Sequence, residues 1–139
     1  MTRYLLDTNL CIYIKNHRPP EVLTRFSSLR PGDVAMSAIT YAELCFGAAK
    51  STKQRESRQT LAALRDLIPV LALDVNASLK YGQIRRHLQD LGRPIGNSDL
   101  WIAAHAVSSE LILVSNNVVE FERVPGLKLE NWVVVSPAA

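Results

Sequence analysis

Three acidic side chains in this sequence stand where their surroundings do not call for a charge. Asp7 follows the apolar run that ends in Tyr4-Leu5-Leu6. Glu43 is the sole charge between Asp33 and Lys50, with Tyr41, Ala42, Leu44, Cys45 and Phe46 around it. Asp99 stands in Gly96-Asn97-Ser98-Asp99-Leu100-Trp101. A further polar group, Ser115-Asn116-Asn117, follows the apolar stretch Leu111 to Val114. Each has an ordinary structural explanation when taken singly. An Asp after a strand caps the next helix, although Thr8 or Asn9 could supply that cap here. A lone Glu on an apolar helix is commonly a boundary residue with its carboxylate in water. An Asp in a first helical turn offsets the macrodipole. Ser and Asn after a strand form turns.

Taken together the acids point to chemistry. Carboxylates sharing one dry cleft need a positive charge to neutralise them. Oxygen donors without Cys or His suit Mg²⁺ or Mn²⁺. Such an ion lowers the pKa of a bound water and offsets charge on a phosphoryl group. An acidic cleft of this kind in a protein of net charge +3 suggests cleavage of a phosphodiester. The other ligand types do not compete. Cys11 and Cys45 are not in a Cys-x-x-Cys pair and read as core thiols. His17, His87 and His105 lack ligand spacing; the first two read as surface residues, and His105, in an Ala-rich segment, as a partly buried structural histidine.

The elements that must position the acids follow from periodicity and caps. Strands are predicted over 3–6, 34–36, 70–73 and 111–114, with a last strand or two over 128–135. Helices are predicted over 10–15, 21–29 behind Pro19-Pro20, 39–50 behind Ser37, and from Ser51 or Thr52 to before Pro69. Further helices run from Asp74 to Leu91, where Gly92 stops the chain, and from Asn97 or Ser98 to Val107, with a short helical piece over 117–121. Strands alternating with helices argue a mainly parallel sheet covered on both faces, a three-layer α/β/α sandwich. In such sheets sites form at the carboxyl ends of the strands. Asp7, Glu43, Asp99 and the Ser115–Asn117 turn all map to that edge.

The 139 residues suit one domain spanning 1–139. Hydrophobic residues at 47% and charged residues at 21% exclude a disordered chain. No apolar run reaches the ~18 residues of a membrane helix. The short apolar start meets Asp7 at once and does not form a signal peptide. The expected location is the cytoplasm. Basic residues cluster as Lys50, Lys53, Arg55, Arg58 and Arg65, and as Arg85 and Arg86; taken alone, each cluster reads as a solvated helix face.

The chain resembles the PIN-domain ribonucleases, and within them the VapC-type toxins of toxin–antitoxin pairs. The resemblance rests on Leu6-Asp7-Thr8-Asn9, Ser37-Ala38-Ile39-Thr40 through Glu43 to Gly47, Gly92-Arg93-Pro94-Ile95-Gly96 through Asp99 to Ala106, and Leu113 through Asn117 to Glu120-Phe121. It covers nearly the whole chain, with the fragments in this order. It implies an α/β/α sandwich, a homodimer, and a Mg²⁺- or Mn²⁺-dependent endoribonuclease. It assigns Asp7, Glu43 and Asp99 to the metal, with Thr8, Asn9 and Ser115 ordering the cleft. Asn117 stands where many members carry a fourth acid, although Asn is frequent there in the branch this chain most resembles. Glu120 lies on the same side and is read as a helix-surface acid. The resemblance further implies structured RNA as substrate, initiator tRNA cut in its anticodon loop, and a cognate antitoxin. The antitoxin's tail fills the cleft, and its DNA-binding part brings the complex to the operator. RNA phosphates need cations near the acids; the candidates are Lys50, Lys53, Arg55 and Arg58, then Arg85 and Arg86, and Arg93 in the loop before Asp99, which leads them.

Other readings have specific weaknesses. A haloacid-dehalogenase-type phosphatase could use Asp7 as nucleophile and Ser115 on phosphate. It usually keeps a second acid where Asn9 stands, and needs a late acidic pair, whereas no Asp follows Ser115. A two-component receiver domain lacks its acidic pair after the first strand. A catalytically dead PIN domain that only binds RNA or a partner is the reading that Asn117 keeps open.

Overall fold

The three central strands each end where a polar side chain begins the next element. The computed structural model describes residues 1–134, with β1 (Tyr4–Leu6), β2 (Val34–Ser37), β3 (Val70–Leu71), β4 (Ile112–Val114) and β5 (Lys128–Glu130). They form one sheet in the order β3-β2-β1-β4-β5, and every pairing is parallel. Leu6 is in register with Met36 on one side and with Val114 on the other. The next residues, Asp7, Ser37 and Ser115, therefore stand level along the carboxyl edge. All three are buried.

Alternation along the strands divides the core between the two faces. Tyr4, Leu6, Val34, Met36 and Val114 pack with α1 (Thr8–Lys15), α2 (Pro20–Ser27), α3 (Ala38–Lys50) and α4 (Gln54–Leu67). Leu5, Ala35 and Leu113 point the other way, into α5 (Val75–Asp90), α6 (Asn97–Ser108) and α7 (Val118–Phe121). The result is the expected three-layer sandwich. Strand order reverses beside β1: the chain builds outward through β2 and β3, then returns to place β4 on β1's other side. The carboxyl ends of β1 and β4 thus flank a switch point, where open α/β sheets leave a crevice.

Several local expectations change. Asp7 itself caps α1, its Oδ1 accepting from the Leu10 amide at 2.9 Å, so Thr8 and Asn9 are the first helical residues. Neither Ser51 nor Thr52 is the N-cap of α4; Lys53 holds that position without a side-chain cap bond. α6 does begin at Asn97 as expected, behind Gly96, and extends one residue past Val107 to Ser108. β3 stops at Leu71, because only Val70 and Leu71 find partners on β2 before the chain turns to the Asp74 cap. The last strand is β5, ending at Glu130; the remainder of the expected stretch up to Val134 is not strand, and Val135 lies outside the described residues. Cys11 is buried, but Cys45 is exposed. Helix α3 buries Thr40, Leu44 and Ala48, an i, i+4 stripe that leaves Cys45 turned outward. Among the described residues, no helix is long and apolar enough to cross a membrane.

Candidate functional site

Asp7 sits at the end of β1 and is only 4% exposed. Burial pushes its pKa up, and the Glu43 carboxylate adds to the rise. The Ser115 hydroxyl and the amides of Leu10 and Asn9 act against it as hydrogen-bond donors. Capping and burial thus fix one carboxylate at the crevice. The residue that caps α1 is thus also the one that stands at the crevice.

Glu43 is carried by α3, in the second turn beyond the Ser37 cap. Ser37 Oγ accepts from the Ile39 amide at 3.2 Å. Glu43 is half-buried, and its Oε1 accepts the Thr8 hydroxyl at 2.6 Å. Thr8 Oγ1 also lies 3.4 Å from Thr40 Oγ1. Thr8 therefore bridges the start of α1 to the acid on α3.

Asp99 lies in the first turn of α6. Its pKa rises to about 6, chiefly through burial, then through Glu120, with further contributions from Asp7 and Glu43. Glu120 is half-buried, and its Oε2 accepts Asn117 Nδ2 at 3.0 Å. The Asn117 amide in turn donates to Ser115 Oγ at 2.9 Å. A chain of contacts thus runs from Ser115 through Asn117 and Glu120 to Asp99.

The structure brings Asp7, Glu43, Asp99, Thr8, Ser115 and Asn117 to one edge and adds Glu120, which sequence reasoning left on the helix surface. The signal for Glu120 was its spacing. Asn117 and Glu120 occupy the N-cap and N3 positions of α7, where side chains face each other. Asn9 is exposed and contributes its backbone amide to Asp7.

Among the described residues, no Lys, Arg or His pairs with any of the four carboxylates. Nor do three metal-ligating side chains among those residues close on a single point. Asp7 and Glu43 are instead held by Leu10 and Thr8, and Asp99 leans on Glu120. The donor chemistry is all oxygen and all acidic, with no cation to offset it. That set fits a hard divalent ion.

The arginines singled out from the sequence lie apart from one another in role. Arg93 is exposed in the loop leading into α6. Arg85 donates to the Tyr81 hydroxyl at 3.0 Å, on a Tyr81 ring stacked against Trp101 with centroids 4.0 Å apart. Arg86 pairs with Asp90 at 3.5 Å across solvent. His105 is 3% exposed, and its Nδ1 lies 2.9 Å from Ser37 Oγ, tying α6 to the cap of α3.

Comparison with known proteins matches this architecture. The model of the PIN domain family covers residues 4–127. Ribonuclease VapC1 of Haemophilus influenzae is 42% identical over 130 residues, covering 93% of this chain and 97% of the relative. The tRNA(fMet)-specific endonuclease VapC of Shigella flexneri is 42% identical over 132 residues, covering 95% and 99%. The crystal structure of DNA-bound VapBC from Salmonella typhimurium superposes with a TM-score of 0.90 at 38% identity, covering 96% of this chain and 100% of that one. With a family match over most of its length and such identity to named ribonucleases, the chain belongs to the PIN-domain family, among its VapC-type ribonucleases.

Proposed function

We propose that this ribonuclease is a Mg²⁺- or Mn²⁺-dependent endonuclease acting on structured RNA, with initiator tRNA cut in the anticodon loop as its substrate. The observation that carries the proposal is the cluster of Asp7, Glu43, Asp99 and Glu120 without a cationic partner, at the sheet's switch point. The substrate is supported by the tRNA(fMet)-specific relative.

In this reading Asp7, Glu43 and Asp99 hold the ion, and Glu120 supplies the fourth acid that Asn117 lacks. A divalent ion supplies the Lewis acidity that activates water and offsets charge on the phosphoryl group. The chain's own residues set the stage. Leu10 fixes one oxygen of Asp7. Thr8 orients Glu43. Ser115 orders the turn that presents Asn117, and Asn117 aims Glu120 toward Asp99.

The protein is a VapC toxin ribonuclease of a toxin–antitoxin system. We assign it a cognate VapB-like antitoxin whose basic side chain enters the acidic cleft, contact with operator DNA through that antitoxin, a homodimeric state and a cytoplasmic location. The dead-domain reading drew on Asn117; Glu120 beside Asp99, one helical turn later, supports an active enzyme instead. The phosphatase and receiver readings fall with the family assignment.

The test incubates purified protein with total tRNA and Mg²⁺ or Mn²⁺, followed by 5′-end mapping. One discrete cut in initiator tRNA, lost in EDTA and in Asp7→Asn, is expected. Intact tRNA under every metal condition would overturn the proposal.

A further inference from the structure

A groove of about 540 Å³ runs between α1, α3 and α4, and Thr8 and Glu43 line it. Since these two residues also belong to the carboxylate cluster, the groove opens onto the site. Its floor includes the buried carbons of Leu44, Ala48 and Leu61. Ser51, Ser57 and Thr60 put hydroxyls along the α4 side, with Ser57 Oγ donating to Ser51 Oγ at 2.9 Å. Two cations line it, Lys15 from the last turn of α1 and Lys53 from the residue before α4. Among the described residues neither lysine is ion-paired.

Gly47 lies on this groove, one turn after Glu43 on the same face of α3. Glycine inside a helix is less stable than alanine. Packing does not demand it here, since a Cβ at this position would meet nothing within 4 Å. The open space lies on the groove side, beside the acid.

We infer that this groove carries the sugar–phosphate backbone of the RNA strand entering the carboxylate cluster, with Lys15 and Lys53 on its phosphates and Gly47 keeping the path clear. The inference rests on the ribonuclease substrate proposed above. Carboxylates repel phosphates, so a strand reaching Glu43 needs cations immediately beside it, and these two lysines line the space that leads there. The hydroxyls suit ribose and phosphate oxygens. Glu43 and Glu56 line the same groove, so the two lysines act beside two acids. Arg85 and Arg86 lie on α5, on the opposite face of the sheet from α1, α3 and α4.

The test uses the full chain and a labelled anticodon stem–loop of initiator tRNA, with binding measured in EDTA over a range of salt. Lys15→Gln/Lys53→Gln is expected to bind at least tenfold more weakly at low salt. Its plot of log affinity against log salt is expected to be shallower by about 1.4, at ~0.7 per single-strand phosphate. Gly47→Ala should melt at or above the parent temperature. Gly47→Leu should lose cleavage at least tenfold, and if that variant does not fold the surface lysines decide the matter. A parent that cuts initiator tRNA while the folded lysine variant keeps the parent slope and affinity overturns the groove alone. A parent that neither binds nor cuts RNA overturns the ribonuclease substrate and the groove together. RNA binding that is unchanged in the lysine variant, with inhibition by an antitoxin peptide lost, would assign the groove to the partner and overturn the inference.

Discussion

Asp99 of α6 and Glu120 of α7 lie together although β4 separates them in sequence, and the Glu120 charge acts on Asp99. The pKa of Asp99 climbs to about 6, first because it is buried and then because Glu120 is its neighbour. Asp7, buried at the end of β1, is displaced in the same direction.

A carboxyl that titrates higher in the folded chain than in the unfolded one holds its proton more tightly when folded. Its contribution to stability is full below the ordinary value of 3.8 and is lost as pH rises through about 6. In EDTA the melting temperature should therefore fall between about pH 4 and about pH 6.5, and added Mg²⁺ should restore it at the upper end. His105 acts in the opposite sense, because burial lowers its pKa from 6.5 and the folded chain resists its protonation. Glu120→Gln should shrink the alkaline loss. Superimposable profiles for that variant and the parent would remove Glu120 from the pair.

Asp7 combines a helix cap with a proposed metal ligand, and two substitutions separate these. Asn accepts the Leu10 amide as Asp does, so Asp7→Asn should abolish cleavage while melting in EDTA at or above the parent temperature. Asp7→Ala should abolish cleavage and also cost about 0.5–2 kcal/mol. Equal destabilisation by both would mean that the charge itself holds the fold.

Glu120→Gln should raise the Mg²⁺ concentration for half-maximal cleavage about tenfold, the usual scale for a group that supports a metal site. Titration of the rate with Mg²⁺ measures this. An unchanged midpoint would return Glu120 to the helix surface.

The bond between His105 and Ser37 is buried at both ends. His105→Ala should cost about 3 kcal/mol, from the cavity and from the partner left behind. Denaturant unfolding checks it. A loss within experimental error of zero would show that water replaces the ring at no cost.

For RNA binding outside the groove, Arg93→Ala should flatten the salt dependence by about 1, while Arg86→Ala should leave it unchanged, because Arg86 is already paired with Asp90. The salt dependence of tRNA binding in EDTA distinguishes them.

The layered fold and its acids were legible in the sequence because they rest on local rules. Apolar triplets ending at Asp7, Ser37 and Ser115 mark buried parallel strands, and periodic leucines mark their covering helices. What escaped depends on direction rather than composition. Cys45 has apolar sequence neighbours yet faces outward, since the stripe of Thr40, Leu44 and Ala48 decides which side of α3 is buried. Glu120 looks like a solvent-facing acid until α7 is docked beside α6. The cap at Asp7 escaped because Thr8 and Asn9 are equally good capping types, and only backbone geometry chooses between them. The groove containing Lys15 and Lys53 forms where α1 packs beside the adjacent helices α3 and α4, and no local pattern brings Lys15 to Lys53.

The pairing of β1 with β4 has a consequence for the time before the chain is complete. Tyr4–Leu6 waits for Ile112–Val114, made more than a hundred residues later, before the crevice at Asp7 has its second wall. Glu120 arrives later still. Throughout synthesis the growing chain is surrounded by the ribosome's own RNA and by tRNA. The acids remain scattered over unjoined segments until the residues up to Glu120 have been made. The order of the strands therefore sets an order of assembly, in which the acids come together only once β4 and α7 have followed β1.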